Sequence, residues 1–415
     1  MPVKPWRRPI FTETRTMKRS ILYLEQQSWK GGAQQVLLNV LDALGEDFRP
    51  IVAFPDAGPF RAHLEECGIE TLTYPLGTYR PGKKSLGEMI AFAWRSLLCT
   101  LKLTYTIIAR NVCMVYINGP RSLPSGVLAA RLAGRPALFH LHNILTRRCD
   151  VLLVSWFARL ASKIVPCSNA AADSLLKVRP GLQSLTKVLY NPVLNLTQGI
   201  SSSPVRLHSP ITIGMVGRIT EGKGHHVLFN AVSKLDFKLR KSCRLAIIGA
   251  PAPRSREDDS YLARLKAHAK SLGIGEQIFW AGYQIDMEPF YQSMDVLVVP
   301  SIGTEGLPMV LLEALQRGIP VIASDTGGTS EIVRHEVNGL MVPGGNVGEL
   351  AAALNKLLSS PTLQERLSRG ARATLDARFS PESFSLAMKG FAFELCPLSQ
   401  AKQNLRRGTE VAKWE

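Results

Sequence analysis

The chain has 415 residues, 46% of them hydrophobic and 20% charged. That is enough for two or three domains with proper cores, and too ordinary a composition for a disordered, collagen-like or coiled-coil protein. Fifty Lys and Arg stand against 33 Asp and Glu, a formal net charge of +17 that favours an anionic partner.

Residues 1–18 are basic and are followed by no apolar core or small-residue cleavage site, so they read as a flexible extension and not a signal peptide. Six short apolar runs come next, at 20–24, 50–54, 71–74, 114–117, 137–141 and 163–166. Each is bounded by Gly, Pro or Asn and followed by a helix-length stretch. Runs without polar alternation are what strands covered on both faces look like, so a parallel sheet is expected. Residues 86–109 mix Met89, Ile90, Phe92, Trp94, Leu97, Leu98, Leu101 and Leu103 with Arg95 and Lys102. This is the pattern of an interfacial amphipathic helix, or of a surface helix resting its apolar side on the core. The two cations leave no run of the roughly 18 uncharged apolar residues that a spanning helix needs.

Ser and Pro crowd residues 195–210, which places a linker at 199–210. A second series of apolar runs follows at 211–216, 244–248, 277–280, 295–299, 320–323 and 340–342. Helical patterns at 347–358 and 362–377 come next, then a break at Ser380-Pro381 and a last helix at 384–395. The expected architecture is α/β: two doubly wound parallel-sheet domains, 1–198 and 211–380, facing a cleft at the carboxyl ends of their strands. Residues 381–415 are read as a helix returning to the first domain, plus a tail. Residues 1–195 carry a net charge of +13, concentrated in 4–19, 80–110 and 147–179. Seven cysteines are scattered without a C-x-x-C pair, which suggests a reducing compartment, no zinc site and no disulfides.

Chemistry concentrates at two strand-to-helix turns of the second series. The first is Gly217-Arg218-Ile219-Thr220-Glu221-Gly222-Lys223-Gly224. Its glycines let the backbone approach an anion, and the helix behind offers free N–H groups. Arg218 supplies a planar fork and Lys223 a point charge. The stretch nearly fits a P-loop, but Gly224 stands where a metal-binding hydroxyl is needed. The second turn, Pro300 to Ala314, carries Glu305 on a loop and Glu313 eight residues later on a Leu-rich helix. A carboxylate in that setting needs partners, and the hydroxyls of a bound ribose would serve.

In their order, these elements resemble the donor-binding half of the retaining glycosyltransferases of family 4 (glycosyl transferases group 1), which have the GT-B fold of two Rossmann-like domains. The resemblance runs through Gly217-Arg218, Lys223-Gly224, Gly282-Tyr283, Tyr291, Asp295, Pro300-Ser301, Glu305-Gly306, Glu313, Gly318 to Ala323, Gly327-Gly328-Thr329-Ser330-Glu331 and Asn338-Gly339-Leu340. The first half is similar more loosely, through Gly31-Gly32-Ala33 and His140-Leu141-His142-Asn143.

The resemblance implies a nucleotide-sugar site. Gly217, Arg218 and Lys223 would hold the diphosphate and Glu313 the ribose. Glu305 and the backbone of Gly306, Leu307, Met309 and Val310 would hold the sugar. Gly31 and Gly32 would approach the phosphates from the other domain. His142 would stand near the reacting centre, with His140 a buried twin out of phase with it. Two departures are Gln34, where the family often has Glu, and Pro308, which removes a backbone donor from the loop.

The expected reaction is retaining transfer of a sugar to a lipid-linked or saccharide acceptor, in cell-surface polysaccharide or glycolipid synthesis. No cofactor or obligatory metal is expected, because Asp258-Asp259 and Asp286-x-Glu288 do not make an Asp-x-Asp motif. The basic first half suggests a cytoplasmic protein, peripheral on the anionic inner membrane face. Nucleic acid is not an expected partner, since no reader motif accompanies the charge. The rival readings are a P-loop-like nucleotide hydrolase or kinase, and a non-catalytic basic protein that binds membrane or nucleic acid.

Overall fold

A computed structural model describes residues 19–77, 86–193, 210–253, 255–375 and 377–397. The basic extension, nearly all of the linker and the end of the tail fall outside the described residues.

The first domain alternates strands and helices: β1 (Arg19–Glu25), α1 (Gly32–Leu44), β2 (Phe48–Phe54), α2 (Pro59–Glu66), β3 (Glu70–Thr73), α3 (Leu86–Ala109), β4 (Val112–Asn118), α4 (Leu123–Leu132), β5 (Ala137–Leu141), α5 (Arg148–Ala158), β6 (Lys163–Pro166) and α6 (Asn169–Leu176). The second continues with β7 (Ile211–Val216), α7 (His225–Ser233), α8 (Phe237–Lys241), β8 (Cys243–Ile248), α9 (Arg256–Ser271), β9 (Ile278–Gly282), α10 (Glu288–Ser293), β10 (Val296–Val299), α11 (Met309–Gln316), β11 (Val321–Ser324), β12 (Gly339–Val342), α12 (Val347–Leu358), α13 (Pro361–Thr374) and α14 (Pro381–Leu395). All twelve apolar runs are strands, with ends shifted by at most two residues.

Every strand pairing between neighbours is parallel, in the orders β3-β2-β1-β4-β5-β6 and β12-β11-β10-β7-β8-β9. Central strands such as β4 (VCMVYIN) are buried throughout because helices cover both faces. In each sheet the order reverses beside the first strand, between β1 and β4 and between β7 and β10, and a crevice opens there. The Asp295 carboxylate accepts the Thr212 N–H at 2.7 Å, which ties the second switch point at its base. One apolar core runs from the first domain through to Leu297, Met309 and Leu311 of the second, so the domains share buried surface.

The last helix packs on α1. Phe393 lies 5.5 Å from Phe48 between ring centroids, and Glu394 pairs with Lys163. The chain leaving the first domain lies beside the chain leaving the second: the Val193 N–H donates to the Phe379 carbonyl at 2.8 Å, and the Tyr190 and Phe379 rings are 5.3 Å apart. The expectation of no disulfides is corrected here, because Cys113 and Cys396 form one, with Cα atoms 5.8 Å apart. The two lie 283 residues apart in sequence and meet only because α14 returns to β4, a closeness that cysteine spacing cannot reveal.

Helix α3 buries Cys99, Leu103 and Ile107 and exposes much of its remaining apolar surface, with Trp94 63% and Tyr105 74% exposed beside Met89, Ile90, Leu101 and Ile108. Among the described residues, no helix is long and apolar enough to cross a membrane.

Candidate active site

At the β7/β10 switch point, two loops are pinned together. Gly224 adopts φ +76°, and a Cβ there would meet the Pro300 carbonyl at 2.0 Å, so only glycine allows the approach. The Gly222 carbonyl accepts N–H groups from Ile302 at 3.0 Å and Gly303 at 2.9 Å. Lys223 is thereby carried to Glu305: its Nζ donates to Oε1 at 2.7 Å, and Ser301 Oγ donates to the same oxygen at 2.5 Å. Arg218, on the same turn after Gly217, is exposed.

Beyond Glu305, Leu307 and Met309 are buried and Val310 half-buried as α11 begins. On that helix Glu313 Oε2 accepts the Tyr291 hydroxyl at 2.5 Å. Burial pushes the Glu313 carboxyl above its usual range, against the pull of Tyr291, Arg317 and Lys30. Lys30 reaches it from the first domain, immediately before Gly31-Gly32; burial lowers its ammonium pKa, and Glu313 draws it back up. Two pairs of opposite charge thus stand on these turns: Lys223 with Glu305, and Lys30 with Glu313 across the domains.

The acidic pairs outside this site have structural work. Asp258 accepts the Ala252 N–H, Asp286 accepts the Glu288 N–H, and Glu288 pairs with Arg317. Among the described residues, no group of three or more His, Cys, Asp or Glu is arranged to hold a metal ion.

The β1/β4 switch point is built differently. Glu25, Asn118 and His142 end or follow β1, β4 and β5, and their side chains form a buried chain. Glu25 Oε1 accepts from the Gln26 N–H at 2.8 Å and from Gln34 Nε2 at 2.9 Å; Oε2 accepts from Asn118 Nδ2 at 2.5 Å. Asn118 Oδ1 lies 2.7 Å from His142 Nε2, while His142 Nδ1 is buried without a partner. Burial raises the Glu25 carboxyl to about 7 even against these donors, and lowers the His142 imidazole to about 3, so that ring is neutral.

The departure at position 34 has a physical reason. Gln34 can donate to Glu25, which a glutamate there could not. His140 is buried as expected, with Nδ1 on the Tyr116 hydroxyl, but it is not out of phase with His142. Residues two apart share a strand face, and the two rings stack at 4.1 Å.

Across the cleft the domains touch closely. A Cβ on Gly306 would meet the His142 carbonyl oxygen at 2.1 Å, and the Gly306 carbonyl accepts Ser168 Oγ at 2.7 Å. A Cβ on Gly32 would lie 3.7 Å from Met309. Glu331, on the turn after β11, caps the start of α6 in the other domain: it accepts the N–H groups of Asn169 and Ala170 at 2.9 Å each, and the Tyr190 hydroxyl at 2.8 Å.

The structure therefore brings together Lys223, Glu305, Gly306, Met309 and Glu313 with Gly31, Gly32 and His142, and leaves Arg218 without such a contact. Sequence reasoning passed over Glu25, Lys30, Asn118 and Ser168, and gave Glu331 no role beyond its place in the Gly327-to-Glu331 turn. A polar residue closing an apolar run, as Glu25 and Asn118 do, was the available signal for two of them.

Comparison with known proteins gives two family models that match consecutive parts of the chain: "Glycosyltransferase Family 4" over residues 30–193 and "Glycosyl transferases group 1" over residues 201–374. The lipopolysaccharide core biosynthesis glycosyltransferase LpsE of Rhizobium meliloti (strain 1021) is 32% identical over 43% of this chain, a match that spans only 48% of LpsE. The uncharacterized glycosyltransferase MJ1607 of Methanocaldococcus jannaschii is 32% identical over 74% of this chain and 77% of its own length. Among solved structures, Anabaena HepE in complex with UDP and glucose superposes with a TM-score of 0.76 at 24% identity, covering 90% of this chain and 99% of that one, a likeness of fold. With both halves matched by consecutive models and one relative aligned along most of its length, the chain belongs to glycosyltransferase family 4 and has the GT-B fold.

Proposed function

We propose that this protein transfers a sugar, with retention of anomeric configuration, from a nucleoside diphosphate sugar to a saccharide or lipid-linked acceptor of cell-surface polysaccharide or glycolipid synthesis. The observation that carries the reading is Lys223, fixed by Glu305 at the mouth of the β7/β10 crevice, with Glu313 on the following helix coupled electrostatically to Lys30 of the other domain. Breaking the anomeric C–O bond leaves positive charge on the sugar and gathers negative charge on the departing diphosphate. Lys223, with the exposed Arg218 and the turn's N–H groups, stabilises that diphosphate; each well-placed donor is worth roughly 3–4 kcal/mol if oxyanion-hole values transfer. Glu313 holds the ribose hydroxyls. Glu305 and the backbone from Gly306 to Val310 hold the sugar, with Gly31 and Gly32 closing on the phosphates. These cations do what a metal does elsewhere, so turnover proceeds without an obligatory divalent ion or other cofactor.

The acceptor reading draws on LpsE, named for lipopolysaccharide core biosynthesis, and on α3. An apolar stripe with Trp94 and Tyr105 at its surface and Arg95 and Lys102 alongside suits an anionic membrane face, on which the protein sits peripherally.

The test is direct. UDP-glucose is the probe because HepE was solved with UDP and glucose. The purified protein should be thermally stabilised by it, turn it over, and keep turning it over in excess chelator, while Glu313→Ala loses the stabilisation. A panel of nucleotide sugars without any shift or turnover would defeat the reading, and metal-restorable loss in chelator would defeat the metal-free part.

A further inference from the structure

The hydrogen bonds at the first switch point can be assigned from donors whose identity is not in question. The backbone N–H of Gly31 donates to Gln34 Oε1 at 3.0 Å, and Gln27 Nε2 donates to it at 3.1 Å. The Gln34 amide is thereby fixed, with its Nε2 toward Glu25. Glu25 Oε1 thus takes that amine and the backbone N–H groups of Gln26 and Gln27, three donors that leave only Oε2 for the next link. Asn118 Nδ2 lies between the Ala33 carbonyl, 3.4 Å away, and Glu25 Oε2, which is an acceptor when the carboxyl is ionised, above about pH 7. Its Oδ1 therefore faces His142 Nε2, which must carry hydrogen to bond it at 2.7 Å. The ring is neutral, so Nδ1 is a bare lone pair.

We propose that Glu25 and Asn118 are positioning residues that lock His142 in its Nε2–H tautomer, so that Nδ1 accepts a hydrogen bond from a hydroxyl of the sugar being transferred. The second half of this statement rests on the function proposed above. A buried acceptor without a partner is a cost to the fold, and His142 carries one at a strand end whose carbonyl lies against Gly306 of the sugar-binding loop. A ligand hydroxyl would satisfy it. A group that can only accept reads a hydroxyl differently from a group that can only donate, so the tautomer sets how the sugar is held. The stacked His140 keeps Nδ1 on Tyr116 and has a buried, unpartnered Nε2 of its own, so it is the Asn118 bond fixing the tautomer that distinguishes His142.

Isosteric substitutions can reverse and then restore the chain. In Glu25→Gln the three fixed donors hold the amide oxygen at the Oε1 position, so the new amine faces Asn118. Asn118 then turns its own amine to His142 and forces the ring to the Nδ1–H form. Adding Asn118→Asp supplies an acceptor for both neighbours and brings back Nε2–H. Ring-nitrogen NMR of protein labelled at its eight histidines reads this directly, with the His142 signal identified by its loss in His142→Gln.

Well above pH 7, where the Glu25 carboxyl is ionised, the wild type should show Nε2–H, Glu25→Gln should show Nδ1–H, and the double variant should return to Nε2–H. If Glu25→Gln does not fold, Asn118→Ala, which cuts the chain, should populate both tautomers. With UDP-glucose, Glu25→Gln should lose about tenfold in kcat with UDP affinity unchanged, and the double variant should recover it. Wild-type His142 found as Nδ1–H, or a tautomer indifferent to these changes, would overturn the relay. An inverted ring with unaltered kcat would overturn its role in holding sugar. A wild type that turns over no nucleotide sugar counts against the proposed function, and the ring spectra still decide the relay.

Discussion

At the ends of β7 and β10, Lys223 and Glu305 meet in a crevice that water can enter; at the ends of β1 and β4, Glu25 is fully enclosed and His142 keeps 8% exposure. Both places are the reversal point of the same strand order, so topology alone does not decide what a crevice does. The first suits a ligand that brings its own charge, since a half-exposed ammonium can exchange a carboxylate for phosphate oxygens at little desolvation cost. The second holds a neutral histidine, with Glu25 one amide away, and offers one oriented lone pair, which suits a hydroxyl. Under the proposed function the comparison implies a division of labour: one domain would grip the anion, and the other would orient what is attached to it.

The sharpest break of that contrast is Lys223→Ala. If the charged crevice stabilises the departing diphosphate, kcat for UDP-glucose should fall about 10²- to 10³-fold, the roughly 3–4 kcal/mol that such donors supply; a loss under tenfold would remove Lys223 from that role. Next comes the sealed crevice. Glu25 titrates at about 7 in the fold against an ordinary 4.5, so folding favours its protonated form. That contribution is complete below the unfolded value and is lost as pH rises through 7. Relative to Glu25→Gln, urea unfolding should find the wild type losing about 3 kcal/mol of stability between pH 4 and pH 8. Parallel curves for the two proteins would mean that Glu25 is not enclosed as described.

Glu331→Ala then asks whether the two crevices need each other. Removing a carboxylate that takes two backbone N–H groups and a hydroxyl from the opposite domain should cost closure about 2 kcal/mol. A larger radius of gyration by X-ray scattering and a raised KM would follow, and an unchanged radius would show that the clamp carries no weight. The smallest effect is expected at α3. Lys102→Gln should weaken binding to anionic vesicles by about 1 kcal/mol, and Trp94→Ser should weaken it further. Neither should alter turnover of soluble donor, and unaltered vesicle binding would take the membrane out of the acceptor reading.

The sequence carried the strand series and the donor-side turn well, for physical reasons. Buried parallel strands are runs that nothing else mimics at that length, and Gly217 to Gly224 and Pro300 to Ala314 each keep their chemistry within a few residues. Glu25, Asn118 and His142 were not legible as a unit, because a carboxylate, an amide and an imidazole separated by up to 117 positions become neighbours only through the order β1-β4-β5. Lys30 looked like one more basic residue until the domains faced each other. Glu331 read as part of a local glycine turn, and its partners lie in the other domain. Arg218, prominent by motif, proved to be exposed and unengaged, so a motif names a chemistry before it names a contact.

The hydrogen bond between Val193 and Phe379 joins the outgoing and returning polypeptide at one spot. Two stretches of chain held at the same point favour a hinge-like swing of one domain against the other. Residues near that pin scarcely travel when the jaws part, whereas those on the far rim sweep widely. A ligand entering between the domains would therefore find the widest opening at the rim, opposite the pin.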